Sequence, residues 1–536
     1  MKTPKLIKTY VTVSLLFTCI LSQAQQYTTK ISALSNEKWW GSIVALGNEM
    51  PYKSNTSIED LSKDNRNNQI SPLLLSSSGR YVWSEYPFEF HFEDDTLFIR
   101  SESENVKVIS GGDNLRDAYI SASKLHFVPD GKIPVEDFFK KPQYNTWIEL
   151  MYNQNQEDIE AYAKNVEKNG FPAGIFMIDD NWQKYYGNFD FKPERFPDPE
   201  KMCRRLHKKG FKIMLWISPF VSADTPEYRF AARHDYLVKN KQGEPAIVKW
   251  WNGFSACFDL TNPETMDYLE NVLRETMKKY GVDGFKFDGG DVTLMAGQAD
   301  DLVFHDPKAT PNEFSKAWAE LALRFPYHEL RACYKLGGKP LVQRLGDKTY
   351  SWNSVGKLIP EMIAAGLVGY PFTCPDMIGG GEFSSFLNID YEHIDQNLIV
   401  RSCQIHAMMP MMQFSVAPWR ILDKEHLEIC REYARLHKEL GPYIIECAKD
   451  AAKTGEPIVR HMEYCFPHQG YSQCKDQFML GDKYMVAPVI DNSYSRNVII
   501  PEGKWKDDKG TIIEGPCQIQ IDVPIERLPY YTLLND

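Results

Sequence analysis

Between Gly281 and Asp291 the chain reads GVDGFKFDGGD, and two of its residues are of the types that do acid–base and nucleophilic chemistry. Read as a strand, Phe285-Lys286-Phe287-Asp288 alternates, so Lys286 and Asp288 share one face and the two Phe the other. A lysine two residues from an aspartate at the end of an apolar strand suits a carboxylate kept ionised by a nearby ammonium. Gly289-Gly290 then lets the backbone turn sharply and approach a ligand closely. The competing reading of the stretch alone is a strand-end aspartate that caps the next element.

The elements that must position Asp288 follow a strand, loop, helix grammar after Pro142. Thr146 to Met151 is expected as a short strand, and Asp158 to Lys168 as a helix with Ile159, Tyr162 and Val166 on one face. Gly174 to Ile178 is a strand that ends in Asp179-Asp180. Pro199 to Lys209 is a helix, and Phe211 to Ile217 a strand ending in Ser218-Pro219. A long helix over Asn262 to Tyr280 delivers the chain into the Gly284 to Asp288 strand, and Phe314 to Phe325 and Val355 to Gly366 read as further helices. Polar residues recur just after apolar strands, which predicts an α/β barrel with its site at the carboxyl ends of the strands. An open doubly wound sheet is the alternative, but no GxGxxG follows any strand.

Residues 25–140 alternate apolar and polar in runs such as Tyr81 to Tyr86 and Phe88 to Phe92, which predicts an N-terminal β-sandwich. The polar stretch Ser54 to Asn68 reads as a surface loop. The barrel is assigned to residues 141–450. Residues 451–536, with apolar runs at Gln477 to Asp482 and Met485 to Val489 and turn signals at Glu502-Gly503 and Lys509-Gly510, read as a C-terminal β-sandwich.

The chain has 536 residues and a net charge of −11, which argues against nucleic acid and anionic membranes as partners. Lys2, Lys5 and Lys8 precede an apolar run, Val11 to Leu21, too short to span a bilayer, and Ser22-Gln23-Ala24 offers a cleavage site. Residues 1–24 are therefore expected to be a signal peptide, and the protein to be exported to the periplasm or beyond the cell. No later stretch is long and apolar enough for a transmembrane helix. The cysteines are scattered singly, without CxxC pairs or ligand-like His spacing, so neither a zinc site nor any other metal or cofactor is expected. Cys465 and Cys474 could bridge a hairpin; most of the others read as core thiols.

Several blocks in order carry a family resemblance: Phe189-Asp190-Phe191 with Arg195-Phe196-Pro197-Asp198-Pro199, Gly284 to Asp288, Gly369-Tyr370-Pro371-Phe372 with Asp376 and Gly379-Gly380, and Gln477 to Gly481. From about Gly174 to Tyr530 the chain resembles glycoside hydrolase family 31, retaining α-glycosidases built on a (β/α)8 TIM barrel between β-domains. The resemblance implies that Asp288 stands at the nucleophile and Asp347, on the loop before the Gly-Tyr-Pro-Phe block, at the general acid/base. Retaining hydrolysis needs two such carboxyls about 5–5.5 Å apart. It further implies that Asp179 grips distal hydroxyls with Asp180 assisting, that Arg331 binds a hydroxyl, and that Asp376 is a carboxylate of the same pocket. Trp216 and Trp251 are candidate walls, Trp216 equally a core tryptophan, and Lys249 a solvated loop charge.

Pro245-Ala246 through Trp250-Trp251-Asn252-Gly253, and Pro375-Asp376-Met377, resemble an α-galactosidase-like branch of the family. Where the family's α-glucosidases place an Arg and a His after Pro410, Gln413 and Ser415 stand here, and both are expected in the pocket region. The acid/base loop lacks the Trp usual before the acid. The expected activity is an exo-acting α-glycosidase on an oligosaccharide or glycoconjugate with a terminal α-linked sugar, α-galactoside before α-glucoside, with α-N-acetylgalactosaminide also open. A non-catalytic glycan-binding protein on a hydrolase scaffold is the alternative of another class.

Overall fold

A computed structural model describes residues 26–534 apart from Ser103. The expected signal peptide lies outside the described residues. Eight parallel strands form the central sheet: β1 (Gln143–Asn145), β2 (Ile175–Ile178), β3 (Lys212–Ile217), β4 (Gly284–Phe287), β5 (Tyr327–Leu330), β6 (Gln343–Arg344), β7 (Thr373–Cys374) and β8 (Gln413–Phe414). They pair in chain order from β1 to β7, and β8 returns to pair with β1. The seam between β7 and β8 is bridged just beyond β7, where the Ile378 N–H donates to the Gln413 carbonyl at 2.8 Å. The sheet is thus the (β/α)8 barrel the pattern predicts, and its site-bearing loops leave from the carboxyl ends of the strands.

Local chemistry explains the delivery of Asp288. The helix Pro263–Tyr280 starts at Asn262, whose side chain accepts from the Glu264 N–H, with Pro at its first position. It buries Met266, Leu269 and Leu273. The next strand, β4, is fully buried and sits between β3 and β5 in the middle of the run, so Asp288 leaves it from a rigid base. Gly289 follows with φ of 76°, a conformation that costs a β-carbon-bearing residue strain.

The first strand differs from expectation. β1 ends at Asn145, and Trp147–Leu150 is a helical turn rather than the continuation of a strand. Its leading N–H groups are taken by side chains: Trp147 N–H by Asn145 Oδ1 at 2.9 Å, and Ile148 N–H by Ser415 Oγ at 2.8 Å. Side-chain acceptors satisfy the backbone there, so no ladder is needed.

The N-terminal region holds two sheets. One orders Tyr27–Ser32, Thr96–Ser101, Glu89–Glu93 and Glu59–Asp60; the other is built on Gln69–Ser76, flanked by Arg80–Trp83 and joined by Trp39–Ile43. A short strand from the barrel, Cys333–Tyr334, pairs in parallel with Gln69-Ile70 of that second sheet. The polar stretch expected as a surface loop does not stay on the surface: Asn65 and Asn68 are buried. The C-terminal region is a six-stranded antiparallel sheet with its own core of Met479, Met485, Val498, Ile500 and Trp505. Glu502-Gly503, read from sequence as a turn, is an irregularity inside the continuous strand Ser495–Asp507, where the register shifts between Ile500 and Gly503. The ten described cysteines are free thiols, so Cys465 and Cys474 form no bridge. No helix of the described residues is long and apolar enough to cross a membrane.

Candidate active site

At the carboxyl ends of the strands lies a cavity of about 1020 Å³. Asp179, Asp180, Trp216, Trp251, Lys286, Asp288, Arg331 and Asp347 all line it, although they come from five different strands and the loops that follow them. Asp376, expected as a carboxylate of the same pocket, is absent from the wall. It is fully buried, with Oδ1 accepting from Arg344 Nη1 at 2.6 Å and Oδ2 from the N–H groups of Lys348 and Gly381 at 2.6 and 2.8 Å. Its oxygens are spent on the protein, so Asp376 acts behind the cavity, on the Asp347 loop, rather than as a pocket carboxylate.

Asp288 is held from several directions. Its Oδ1 accepts from the Gly289 N–H at 3.0 Å and from Arg331 Nη2 and Nε at 3.1 and 3.3 Å, while Oδ2 accepts from Trp216 Nε1 at 3.0 Å. Burial pushes its pKa up, but the Arg331 and Lys286 charges and the Trp216 bond overcome this and hold the carboxyl well below the usual range. Asp288 is therefore ionised throughout the range in which proteins work. Trp216 is buried in the barrel yet bonded to Asp288, so it serves as both core and cavity wall.

Arg331 departs from its expected part. Besides Asp288, it donates to Asp291 Oδ1 and Oδ2 at 3.1 and 2.7 Å and to the Asn67 carbonyl at 2.9 Å. A guanidinium has five N–H donors, and these contacts engage all of its nitrogens. Arg331 is thus committed to fixing carboxylates rather than free to bind a hydroxyl. Its guanidinium also lies 5.8 Å from the Trp251 ring centre, which steadies a tryptophan that is 46% exposed at the rim. Lys286, in turn, donates to Asp179 Oδ2 at 2.7 Å in a buried pair. Burial opposes its charge, but Asp179 more than compensates and its pKa is raised. Its effect on Asp288 is through space.

Asp347 stands in a different setting. Its side chain is 37% exposed and meets one protein cation, Arg344 Nη1, at 2.8 Å. The same Nη1 reaches Asp376, and the loop is pinned where the Gly346 N–H donates to Asn68 Oδ1 at 2.9 Å.

Around Asp180 the cavity wall is backed by a hydrogen-bonded cluster. Asp180 Oδ2 accepts from Asn252 Nδ2 at 2.8 Å and Tyr186 OH at 3.2 Å, and Tyr152 OH donates to Asn252 Oδ1 at 2.8 Å. Burial, reinforced by the neighbouring Asp179 charge, pushes the Asp180 carboxyl up to about 7. Tyr152, Tyr186, Asn67, Asn68, Asp291 and Arg344 are site residues that sequence reasoning did not single out. Only Asp291 carried a local signal, as the third residue of the Gly-Gly-Asp turn after Asp288.

Gln413 and Ser415 do not sit in the pocket. Both are fully buried: Gln413 Nε2 donates inside the barrel to Glu329 Oε2 at 2.8 Å, and Ser415 Oγ accepts from Ile148 N–H. The cavity wall on that side is made instead by Trp147, Tyr152 and Phe383. Lys249 is exposed, as expected, but it sits in the short strand Val248–Trp250, opposite Phe254, rather than in a loop. Among the described residues no group of three or more His, Cys, Asp or Glu is placed to hold a metal ion.

The chain is 31% identical over 421 residues to the myogenesis-regulating glycosidase of Mus musculus, covering 76% of this chain and 58% of that protein. It is 24% identical over 463 residues to an α-xylosidase of Lactiplantibacillus pentosus, covering 79% and 59%. The chain thus spans under three-fifths of the length of these curated relatives. Among solved structures, a GH31 dextranase of Flavobacterium johnsoniae complexed with glucose superposes with a TM-score of 0.83 at 21% identity, over 95% of this chain and 66% of that one. That likeness concerns the fold. The family description "Glycosyl hydrolases family 31 TIM-barrel domain" matches residues 141–447, and the family's C-terminal domain matches 455–533. These spans take in the whole barrel, the loops that carry Asp288 and Asp347, and the C-terminal sheet, and on that ground the chain belongs to glycoside hydrolase family 31.

Proposed function

We propose that the protein is a retaining, exo-acting α-glycosidase that removes a terminal α-linked hexose, an α-galactoside in preference to an α-glucoside, from an oligosaccharide or glycoconjugate. The observation that carries the reading is the contrast across one cavity between Asp288, locked and ionised, and Asp347, partly open to solvent at the tip of a tethered loop. Asp288 Oδ2, with a single hydrogen bond, attacks the anomeric carbon as the bond to the leaving oxygen breaks. Asp347 gives its proton to that oxygen. In the second half Asp347 takes a proton from water, whose oxygen attacks the anomeric carbon and releases Asp288, so the α-configuration is kept. Asp179, Asp180 and their tyrosine and asparagine partners form the end that receives the distal hydroxyls.

The preference for galactose is supported by what the wall lacks. With Gln413 and Ser415 buried behind it, no arginine or imidazole from that segment is offered to an equatorial hydroxyl. A cavity that pairs one hydroxyl arrangement rejects the epimer because its own buried polar groups are left unmet. The test is kcat/KM for p-nitrophenyl α-galactoside against the α-glucoside, with NMR of the first product. A ratio below one removes the sugar assignment, and a β-anomer formed first removes the mechanism. Absence of turnover on every α-glycoside, with binding retained, would favour a glycan-binding role. Export with a mature start near Gln25 is part of the same proposal, and the intact mass of the protein from its native host tests it.

A further inference from the structure

Inside the barrel, behind the cavity, one carboxyl faces the cations that serve both aspartates and has no part in the steps above. Glu329, on β5 two residues before Arg331, is buried and does not line the cavity. It pairs in register with Lys286 of β4, one of the charges that pull on Asp288. Towards β6 its Oε1 faces Arg344 Nε at 3.4 Å, and neither atom has a hydrogen-bond partner among the described residues. Towards β8 its Oε2 accepts from Gln413 Nε2 at 2.8 Å. Both oxygens thus face donors, and neither faces an acceptor that could take a carboxyl proton, which is the environment of an ionised carboxylate. Burial pushes the carboxyl up, while Arg344, Lys286 and the Gln413 bond pull the other way. The other titratable groups that act on it or feel its charge are Asp179, after β2, and the Cys374 thiol of β7.

Arg344 links this carboxyl to the chemistry. At the other edge of its guanidinium, Nη1 donates to Asp347 Oδ1 at 2.8 Å and to Asp376 Oδ1 at 2.6 Å. A guanidinium keeps its charge at every working pH, so an arginine against a general acid favours loss of the proton that the acid must give. Lys286 and Arg331 pull on Asp347 in the same sense through space. A carboxylate on the Nε edge opposes that pull and holds the guanidinium from within the barrel. Asp376 does less of this, because two backbone N–H groups share its charge.

We infer that Glu329 is a positioning residue for the acid/base: it fixes Arg344 and offsets its charge, so that Arg344 ties the Asp347 loop without drawing off the Asp347 proton. The inference rests on the proposed glycosidase reading. The nucleophile's side is insulated from it, because Arg331 and the Trp216 bond hold Asp288 ionised as well as Lys286.

The experiment is the pH profile of kcat/KM on an α-linked oligosaccharide, whose leaving group needs a proton, beside the corresponding α-glycosyl fluoride, whose leaving group does not. Glu329→Gln keeps the size of the side chain and removes its charge. Its basic limb on the oligosaccharide is expected to move down by about one pH unit or more, with the acid limb in place and the fluoride within about threefold of wild type. Glu329→Asp keeps the charge and should return the limb to within about half a unit of wild type. Gln413→Met removes the hydrogen bond, leaves the charge, and should leave the limb where it was. An unmoved limb in Glu329→Gln, equal movement in Gln413→Met, or equal losses on both substrates without a shift overturn the inference and leave the glycosidase reading intact. A second readout needs no charge-free variant: the carboxyl infrared band that Glu329→Asp displaces should be that of a carboxylate at neutral pH, and a neutral-acid band overturns the inference. A wild-type protein that turns over neither substrate overturns the glycosidase reading, and this inference with it.

Discussion

Asp288 and Asp347 open on the same cavity, yet the protein treats them as opposites. The Asp288 side chain is 12% exposed and is gripped by a backbone N–H, a guanidinium and an indole; that of Asp347 is 37% exposed and meets one arginine, itself shared with Asp376. A group that must attack carbon gains from being fixed and kept ionised, because geometry and charge are then set before substrate arrives. A group that must gain and lose a proton in each cycle needs access to water and room to move. The loop carrying Asp347 suits the role proposed for it: it is tied at Gly346 and backed by a buried carboxylate, and the Asp347 carboxyl is left partly open to solvent.

The comparison breaks most visibly on substitution of the two aspartates. On the proposed mechanism, Asp288→Ala should reduce turnover by on the order of 10⁴-fold or more on every substrate, since Asp288 is the group assigned to form the covalent intermediate. Asp347→Ala should cost about 10²–10⁴-fold on natural leaving groups and far less on the fluoride, which departs without a proton. Parallel kinetics on the two substrate types decide the matter: identical losses for both variants would exchange or erase the assigned roles.

Arg331 sharpens the contrast through pH. Its charge is the first of the attractions that depress the Asp288 pKa. A carboxylate with a depressed folded pKa stabilises the fold above its unfolded value, near 4, and that contribution is lost as pH falls through the folded value. Wild-type kcat/KM should therefore show no Asp288 limb across the ordinary carboxylate range. In Arg331→Gln the acid limb should move up towards pH 4–5, with a loss of about 3–5 kcal/mol of stability from the orphaned Asp288 and Asp291. Arg331→Lys should restore most of the charge effect. An unmoved limb in Arg331→Gln would show that the arginine does not set the ionisation.

A smaller effect is expected at Asn68. Removing its Oδ1 leaves the Gly346 N–H without an acceptor and loosens the Asp347 loop. Asn68→Ala should lower kcat by about tenfold or less, with the Asp288 side of the pH profile unchanged. A change in that limb would mean the two carboxylates are coupled more tightly than their separate supports suggest.

Much of this arrangement was legible in the sequence, because local pattern encodes it. The apolar strands ending in Asp179-Asp180 and in Asp288 name their own position at a barrel mouth, and the spacing of Met266, Leu269 and Leu273 announces the helix before β4. Partners supplied from far along the chain were not legible. Nothing in Asn65 to Asn68 distinguishes a polar loop from one that reaches more than 200 residues ahead to Asp291, Arg331 and Gly346. Gln413 and Ser415 were misplaced for a related reason: a residue near a strand's carboxyl end can point into the barrel or towards the mouth, and composition does not say which. Trp147–Leu150 looked like strand because its apolar content is high, but Ser415, distant in sequence, supplies the acceptor that lets it turn.

The pairing of Cys333-Tyr334 with Gln69-Ile70 bears on how the molecule assembles. The barrel lends a strand to the N-terminal sheet, and that sheet's leading loop completes the cavity, so neither region can finish its hydrogen bonding alone. Closing this contact spans over 260 residues, a late and entropically expensive event in folding. A chain trimmed to the barrel and C-terminal sheet would expose an unpaired edge prone to self-association. The two regions should accordingly melt in one cooperative step.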